Sequence, residues 1–412
     1  MLETEGNLPK EGSYIAGLRS PQSSKPELAN NFIQLVQPPL SQQEDSHGDQ
    51  GRFAVEDEHK ASSGGAKNLE LKHTSEAIRS VEQAPPSSDS AYPDASLPNG
   101  HHRSESGSSD KLADDHVPGS TKLRHLIKNS PRIIVCPGVY DGLSARIALD
   151  VGFDAMYMTG AGTTASRLGA ADLGLAQLHD MRTNAEMIAN LQSDGPPLIA
   201  DMDTGYGGPM VIARAVQQYH LAGVAGFHIE DQLLQKRCGH LQGKEVVDIE
   251  TYIQRIKACV VAAKRLRSDI VIIARTDALQ QRGYAECIER LRRARDEGAD
   301  MGILEGATTK EQARQAVLDL APWPLCLNSV ENGVSPAITV DEAQEMGYRA
   351  MLFSFVTIAP AYTAIQKTLE DLKENGFVSN KVTPKRIFQV CGLGEEMEID
   401  EAAGGTAFAK GV

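Results

Sequence analysis

PLIADMDTGYGGPMVIARAVQQYHLAGVAGFHIED, residues 197–231, holds two short apolar runs, each closed by acids. Between them MVIARAVQQYHLAG (210–223) repeats its apolar residues at helical spacing. A strand, a helix and a second strand in so short a span give parallel neighbours, because an antiparallel pair needs only a turn.

The same unit recurs on both sides. Upstream, IIVCPGVY (133–140) reads as a strand, DGLSARIALDVG (141–152) as a helix and AMYMTG (155–160) as a strand, followed by a loop with a helix. Downstream, the helix DIETYIQRIKACVVAAKRLR (248–267) leads to the strand VIIARTDA (271–278) and the helix ECIERLRRARDEGA (286–299). Then come MGILEG (301–306), TKEQARQAVLDL (309–320), PLCLNSV (324–330), TVDEAQEMG (339–347) and RAMLFSF (349–355), again alternating strand and helix. A last helix runs through AYTAIQKTLEDLKENG (361–376). Eight strand–helix units in about 250 residues predict an α/β fold, a (β/α)8 TIM barrel. A doubly wound open sheet is the alternative, although no GxGxxG follows the first strand.

The 412 residues divide in two. Residues 119–412 carry the barrel and a C-terminal helical segment, with order beginning near Thr121. Residues 1–118, with stretches such as APPSSDSAYPDASLPNGHHRSESGSSD, are poor in apolar clusters. Such composition cannot offset the entropy of ordering, so a disordered low-complexity extension is expected, either a solvated tail or a tether.

The formal net charge of -14 argues against a nucleic-acid partner, which needs a basic face. No apolar run approaches the roughly 20 residues that cross a bilayer, so no membrane is expected. The opening MLETEGNLPKEG lacks the basic and apolar regions of a signal peptide. The 6 cysteines form no CxxC pair. A reducing compartment follows, and the cytoplasm is the expected location.

In a barrel the site lies at the C-terminal ends of the strands. The polar residues there are Tyr140, Thr159 with Gly160 and Ala161, Asp201 and Asp203, His228 and Glu230, Arg275, Glu305, Asn328 with Ser329, and Ser354. Alternation turns Asp201 and Asp203 one way, and His228 and Glu230 likewise. Carboxylates so close repel, and a hard cation such as Mg2+ or Mn2+ relieves them while keeping several waters. His228 either joins that set or orients a carboxylate or water. Arg275 ends an apolar strand, so it meets either a substrate carboxylate or the acids Glu305 and Asp277.

QKRCGH (235–240), just after FHIED, crowds basic residues and a thiol round a glycine. A cysteine beside Lys236, Arg237 and His240 is expected to have a lowered pKa and to cycle as acid and base.

Taken together, GVYDGLSARIALDVGFDAMYMTGAG, ADMDTGYGG, GFHIEDQ, KRCGH, IARTDA and LNSVENG, in this order, resemble the isocitrate lyase and phosphoenolpyruvate mutase superfamily over about residues 121–375. The resemblance implies a last helix swapped between subunits and a homo-oligomer built as a dimer of dimers. It implies Mg2+ or Mn2+ at Asp201, with Asp203, Glu230 and Asp172 in a water-mediated shell and His228 nearby. It assigns Tyr140, Thr159, Gly160, Ala161, Gly239, His240, Arg275, Glu305 and Asn328 to a small carboxylic-acid substrate. It makes Cys238 the acid that protonates a carbanion after carbon–carbon cleavage. LNSVENG resembles the oxaloacetate-hydrolysing branch, in which Ser329 holds the second hydroxyl of a hydrated keto acid; a small packed residue is the alternative. A lyase on 2-methylisocitrate or 2,3-dimethylmalate is the second expectation, and a non-catalytic binding barrel the third.

Overall fold

A computed structural model describes residues 117–411. The extension expected over residues 1–118 lies outside them, apart from its last two residues. Helix α1 (Gly119–Asn129) opens two residues ahead of the expected Thr121. It is followed by β1 (Ile134–Val139), α2 (Gly142–Val151), β2 (Met156–Met158), α3 (Gly160–Leu168) and α4 (Leu178–Ala189). Next are β3 (Leu198–Asp201), α5 (Pro209–Leu221), β4 (Gly226–Glu230), α6 (Ile249–Leu266) and β5 (Val271–Thr276). Then α7 (Leu279–Arg282), α8 (Tyr284–Asp296), β6 (Met301–Leu304), α9 (Lys310–Leu320), β7 (Cys326–Ser329), α10 (Val340–Met346) and β8 (Ala350–Phe353) complete the repeat. Three helices follow: α11 (Ile358–Asn375), α12 (Pro384–Val390) and α13 (Leu393–Ala402).

The strands pair in parallel in chain order, with β1 between β2 and β8. A single parallel bridge, Gly302 to Leu325, closes β6 onto β7. Gly302 is needed there, because a side chain would overlap the ring of Trp323. The fold is therefore the expected (β/α)8 barrel, and the open doubly wound sheet is excluded.

Two apolar clusters divide the core. One lies between strands and helices. The other fills the barrel: Ile134 and Cys136, Val271 and Ile273, Met301 and Ile303, Ala350 and Leu352 alternate inward, with Leu123 of α1 among them. The same alternation continues upward into polar residues. Ile199 leads to Asp201, Ile273 to Arg275, Ile303 to Glu305, Cys326 to Asn328 and Leu352 to Ser354. One face of each strand is thus apolar below and chemical above.

Helix α11 buries no residue, and Tyr362, Ile365, Leu369 and Leu372 stand exposed along it. Among the described residues no helix is long and apolar enough to cross a membrane.

Candidate active site

The rim has two halves of opposite character. On the β3–β4 side, Asp201, Asp203 and Glu230 are all buried. Asp203 follows the strand in a left-handed turn, φ 46°, and its amide donates to Asp201 Oδ1 at 2.8 Å. Gly160 lies so close that a Cβ there would overlap the Asp201 carboxylate. Burial pushes Asp201 and Glu230 above the usual carboxylate range. Burial also raises Asp203 to about 6, against the pull of Lys236. Glu230 Oε2 is buried without a hydrogen bond, and its nearest cation is Arg275 Nε at 3.3 Å.

His228 is neutral. Burial, helped by Arg275, lowers it to about 3. Its Nε2 sits 2.9 Å from the Tyr157 hydroxyl, and Nδ1 faces Asp201 Oδ1 at 3.7 Å. The imidazole therefore borders the acids with one nitrogen already engaged.

On the β5–β7 side the acids are over-paired. Arg275 grips Asp277 through Nε at 2.8 Å and a terminal nitrogen at 3.1 Å. It also lies 3.6 Å from Glu305 Oε2. Both readings of Arg275 as a salt-bridge partner are thus met. Burial opposes ionisation of Glu305, yet Arg275 and His240 hold it well below the usual range. Asp277 is likewise held low by Arg275 and Lys244 against burial. Asn328 donates to both Glu305 oxygens, at 3.0 and 3.2 Å, and receives the Ser354 hydroxyl at 2.6 Å.

The segment Lys236–His240 crosses between the halves. The Cys238 amide donates to the Asp172 carbonyl at 3.1 Å. Gln232 ties down both backbone groups of Arg237. Lys244 donates to the Gly239 carbonyl at 2.6 Å. Gly239 has no room for a side chain against Arg275 and Glu305. His240 Nδ1 accepts from the Val334 amide at 3.1 Å, which leaves the proton on Nε2, 3.0 Å from Glu305 Oε1.

One expectation needs correction. The Cys238 pKa is raised, not lowered. Burial dominates, and the neighbouring Asp172 reinforces it. The basic residues do not serve the thiol as expected, because the buried Lys236 Nζ turns to Asp172 Oδ1 at 2.6 Å and Asp203 Oδ1 at 2.5 Å. Cys238 consequently rests as a protonated thiol. The Thr159 hydroxyl caps α3, accepting from the Gly162 amide at 3.4 Å, and its own proton is left for another acceptor.

The structure thus brings together Asp172, Asp201, Asp203, His228, Glu230, Cys238, Gly239, His240, Arg275, Glu305 and Asn328. Tyr140, Thr159, Gly160 and Ala161 border them at the starts of α2 and α3. Ser329 has the opposite strand parity to Asn328 and is half-buried. Sequence reading did not single out Lys244, Gln232 or Tyr157. Gln232 had a signal, two positions after Glu230, whereas the fold-back of Lys244 had none.

Residues 123–373 match the family model described as phosphoenolpyruvate phosphomutase. The chain belongs to that family, within the isocitrate lyase and phosphoenolpyruvate mutase superfamily. A structure of oxaloacetate acetylhydrolase with the inhibitor 3,3-difluorooxalacetate is 65% identical, with TM-score 0.70, covering 71% of this chain and 99% of that one. A crystal structure of 2,3-dimethylmalate lyase is 56% identical, with TM-score 0.70, covering 72% and 99%. A phosphonopyruvate hydrolase complex with oxalate and Mg++ is 25% identical, with TM-score 0.60, covering 69% and 99%.

Among the described residues no three His, Cys, Asp or Glu side chains gather closely enough to hold an ion directly. The oxygen-only donors and the unsatisfied Glu230 oxygen fit a hydrated divalent cation that touches few protein atoms.

Proposed function

We propose that the chain cleaves a carbon–carbon bond in a small di- or tricarboxylic acid with Mg2+ or Mn2+ in its site, converting oxaloacetate and water to oxalate and acetate. The supporting observation is the divided rim, with carboxylates that burial raises facing acids that Arg275 and Lys244 hold low, and a protonated thiol on the segment between them. The likeness to oxaloacetate acetylhydrolase supports the choice of acid.

Asp201 would hold the ion, with Asp203, Glu230 and Asp172 reaching it through water and His228 steadying Asp201. When bound, the ion offsets charge on the substrate's carboxylate and keto oxygens. The N-terminus of α3, at Gly160 and Ala161, suits a substrate carboxylate. Arg275 faces the same space, and Tyr140 and Thr159 line its edge. Glu305, Asn328, Gly239 and His240 enclose the other side.

Hydrated oxaloacetate carries two hydroxyls on C2, and Ser329, of opposite strand parity to Asn328, would hold one of them by reaching over the end of β7. Loss of a hydroxyl proton to water lets the C2–C3 electrons leave with C3, giving oxalate and the enolate of acetate. Cys238 donates its thiol proton to C3 and is reprotonated from solvent. A raised thiol pKa suits this order, because the group must hold its proton until the carbanion forms. The exposed apolar stripe of α11 suits a helix exchanged with a second copy, in a dimer of dimers.

A specific observation favours a second reading, a lyase on 2-methylisocitrate or 2,3-dimethylmalate. A cavity of about 540 Å³ beside Cys238 is lined by Ala161, Leu241, Val330, Val334 and Phe355, an apolar lodging for an alkyl group.

The test supplies protein and Mg2+ with oxaloacetate, 2-methylisocitrate or 2,3-dimethylmalate in turn. Oxalate from oxaloacetate is expected. Pyruvate from the other acids would replace the first reading by the second, and metal binding without turnover would leave a binding barrel. Cys238→Ser should cut turnover by about three orders of magnitude while metal affinity stays the same. Ser329→Thr should lower oxaloacetate cleavage selectively.

A further inference from the structure

Lys236 is the one residue of the crossing segment whose charge enters the acidic half of the rim. Its ammonium is buried, at ion-pair distance from Asp172 and Asp203 together. A carboxylate oxygen on each side, at 2.6 and 2.5 Å, holds it as an ion pair. It is a positive charge held between Asp172 and Asp203, as Arg275 is held beside Glu230. It is also two residues from Cys238, whose amide is tied to the Asp172 backbone.

We propose that Lys236 is an internal cation that competes with the divalent ion for Asp172 and Asp203, so that entry of the ion frees the segment carrying Cys238. The inference rests on the metal site proposed above. Two cations drawn to the same carboxylates repel each other strongly at low dielectric. The ion must therefore bind beside the ammonium, against repulsion, or displace it, losing two ion pairs. Either course weakens ion binding relative to a chain without the ammonium. Displacement also removes the side chain that pins the segment to the floor of the site. Gln232, Lys244 and His240 still hold its backbone and far end, so release means loosening about Lys236–Cys238 rather than detachment. Lys236 is on this view a positioning residue: it sets where Cys238 stands before the substrate arrives.

The experiment measures Mn2+ affinity by calorimetry, and amide hydrogen exchange over residues 235–241, for the full chain and two variants. Lys236→Met should bind Mn2+ about tenfold more tightly or better. Lys236→Arg keeps the charge and should stay within about threefold of the parent. Without metal, Lys236→Met should exchange faster than the parent at Arg237 and Cys238. Saturating Mn2+ should speed exchange there in the parent and change little in Lys236→Met. Equal or weaker Mn2+ binding by a folded Lys236→Met overturns the competition. Unchanged exchange in the parent on adding Mn2+ overturns the release. If the parent binds no Mn2+ at all, the metal reading itself fails, and that outcome is distinct from both.

Discussion

The two halves of the rim are built from the same materials and reach opposite electrostatic states. Asp201, Asp203 and Glu230 sit at the ends of β3 and β4, where burial outweighs the pull of Lys236 and Arg275, and their pKa values rise. Asp277 and Glu305 are as deeply buried, yet Arg275, Lys244 and His240 surround them, and theirs fall. Burial is common to both, so partner supply decides the difference. One half has room for a cation. The other has donors that a substrate's carboxylate can share.

The comparison breaks most severely at Asp201. Asp201→Asn keeps the shape of the side chain and removes the charge of the first acid. Turnover should fall by about three orders of magnitude, and calorimetry should register weakened Mn2+ binding. Retained binding would move the ion's holder to another carboxylate.

The next effect is on stability. Arg275→Met strips the over-paired half of its central cation and leaves Asp277 and Glu305 facing each other. Breaking a buried pair from one side costs about 3–5 kcal/mol. Chemical denaturation should show a loss of that size, beside a marked loss of turnover. A loss below about 1 kcal/mol would mean that Lys244 and His240 suffice for both acids.

The barrel was legible because each strand repeats one arrangement, apolar residues inward and a polar residue at the top. Ile199 and Asp201, or Ile273 and Arg275, announce both the strand and the position of the site. What the chain does after leaving a strand was not legible. Lys236 looks like one charge of a basic loop, and only the fold-back reveals its two acids. Cys238 has basic neighbours in sequence, but in space burial governs the thiol and Asp172 adds to it. The capping role of the Thr159 hydroxyl was hidden because a cap is visible only once the helix start is known. Contacts across chain separations of this kind depend on loop geometry, which carries no periodicity to read.

The smallest expected effect separates the halves by pH. Glu305 has a folded-state pKa below its ordinary 4.5. Its ionised form therefore contributes stability above that pH, and the contribution is lost as pH falls further. Glu305→Gln lacks this contribution at every pH. The stability gap between parent and variant should then be widest near neutrality and close progressively below about pH 4.5. Urea denaturation across that range reads the gap directly. A gap independent of pH would show that Glu305 acts through its hydrogen bonds to Asn328, which the amide partly keeps, rather than through its charge. The over-paired half would then owe its order to shape, and its contrast with the acidic half would rest on Asp277 alone.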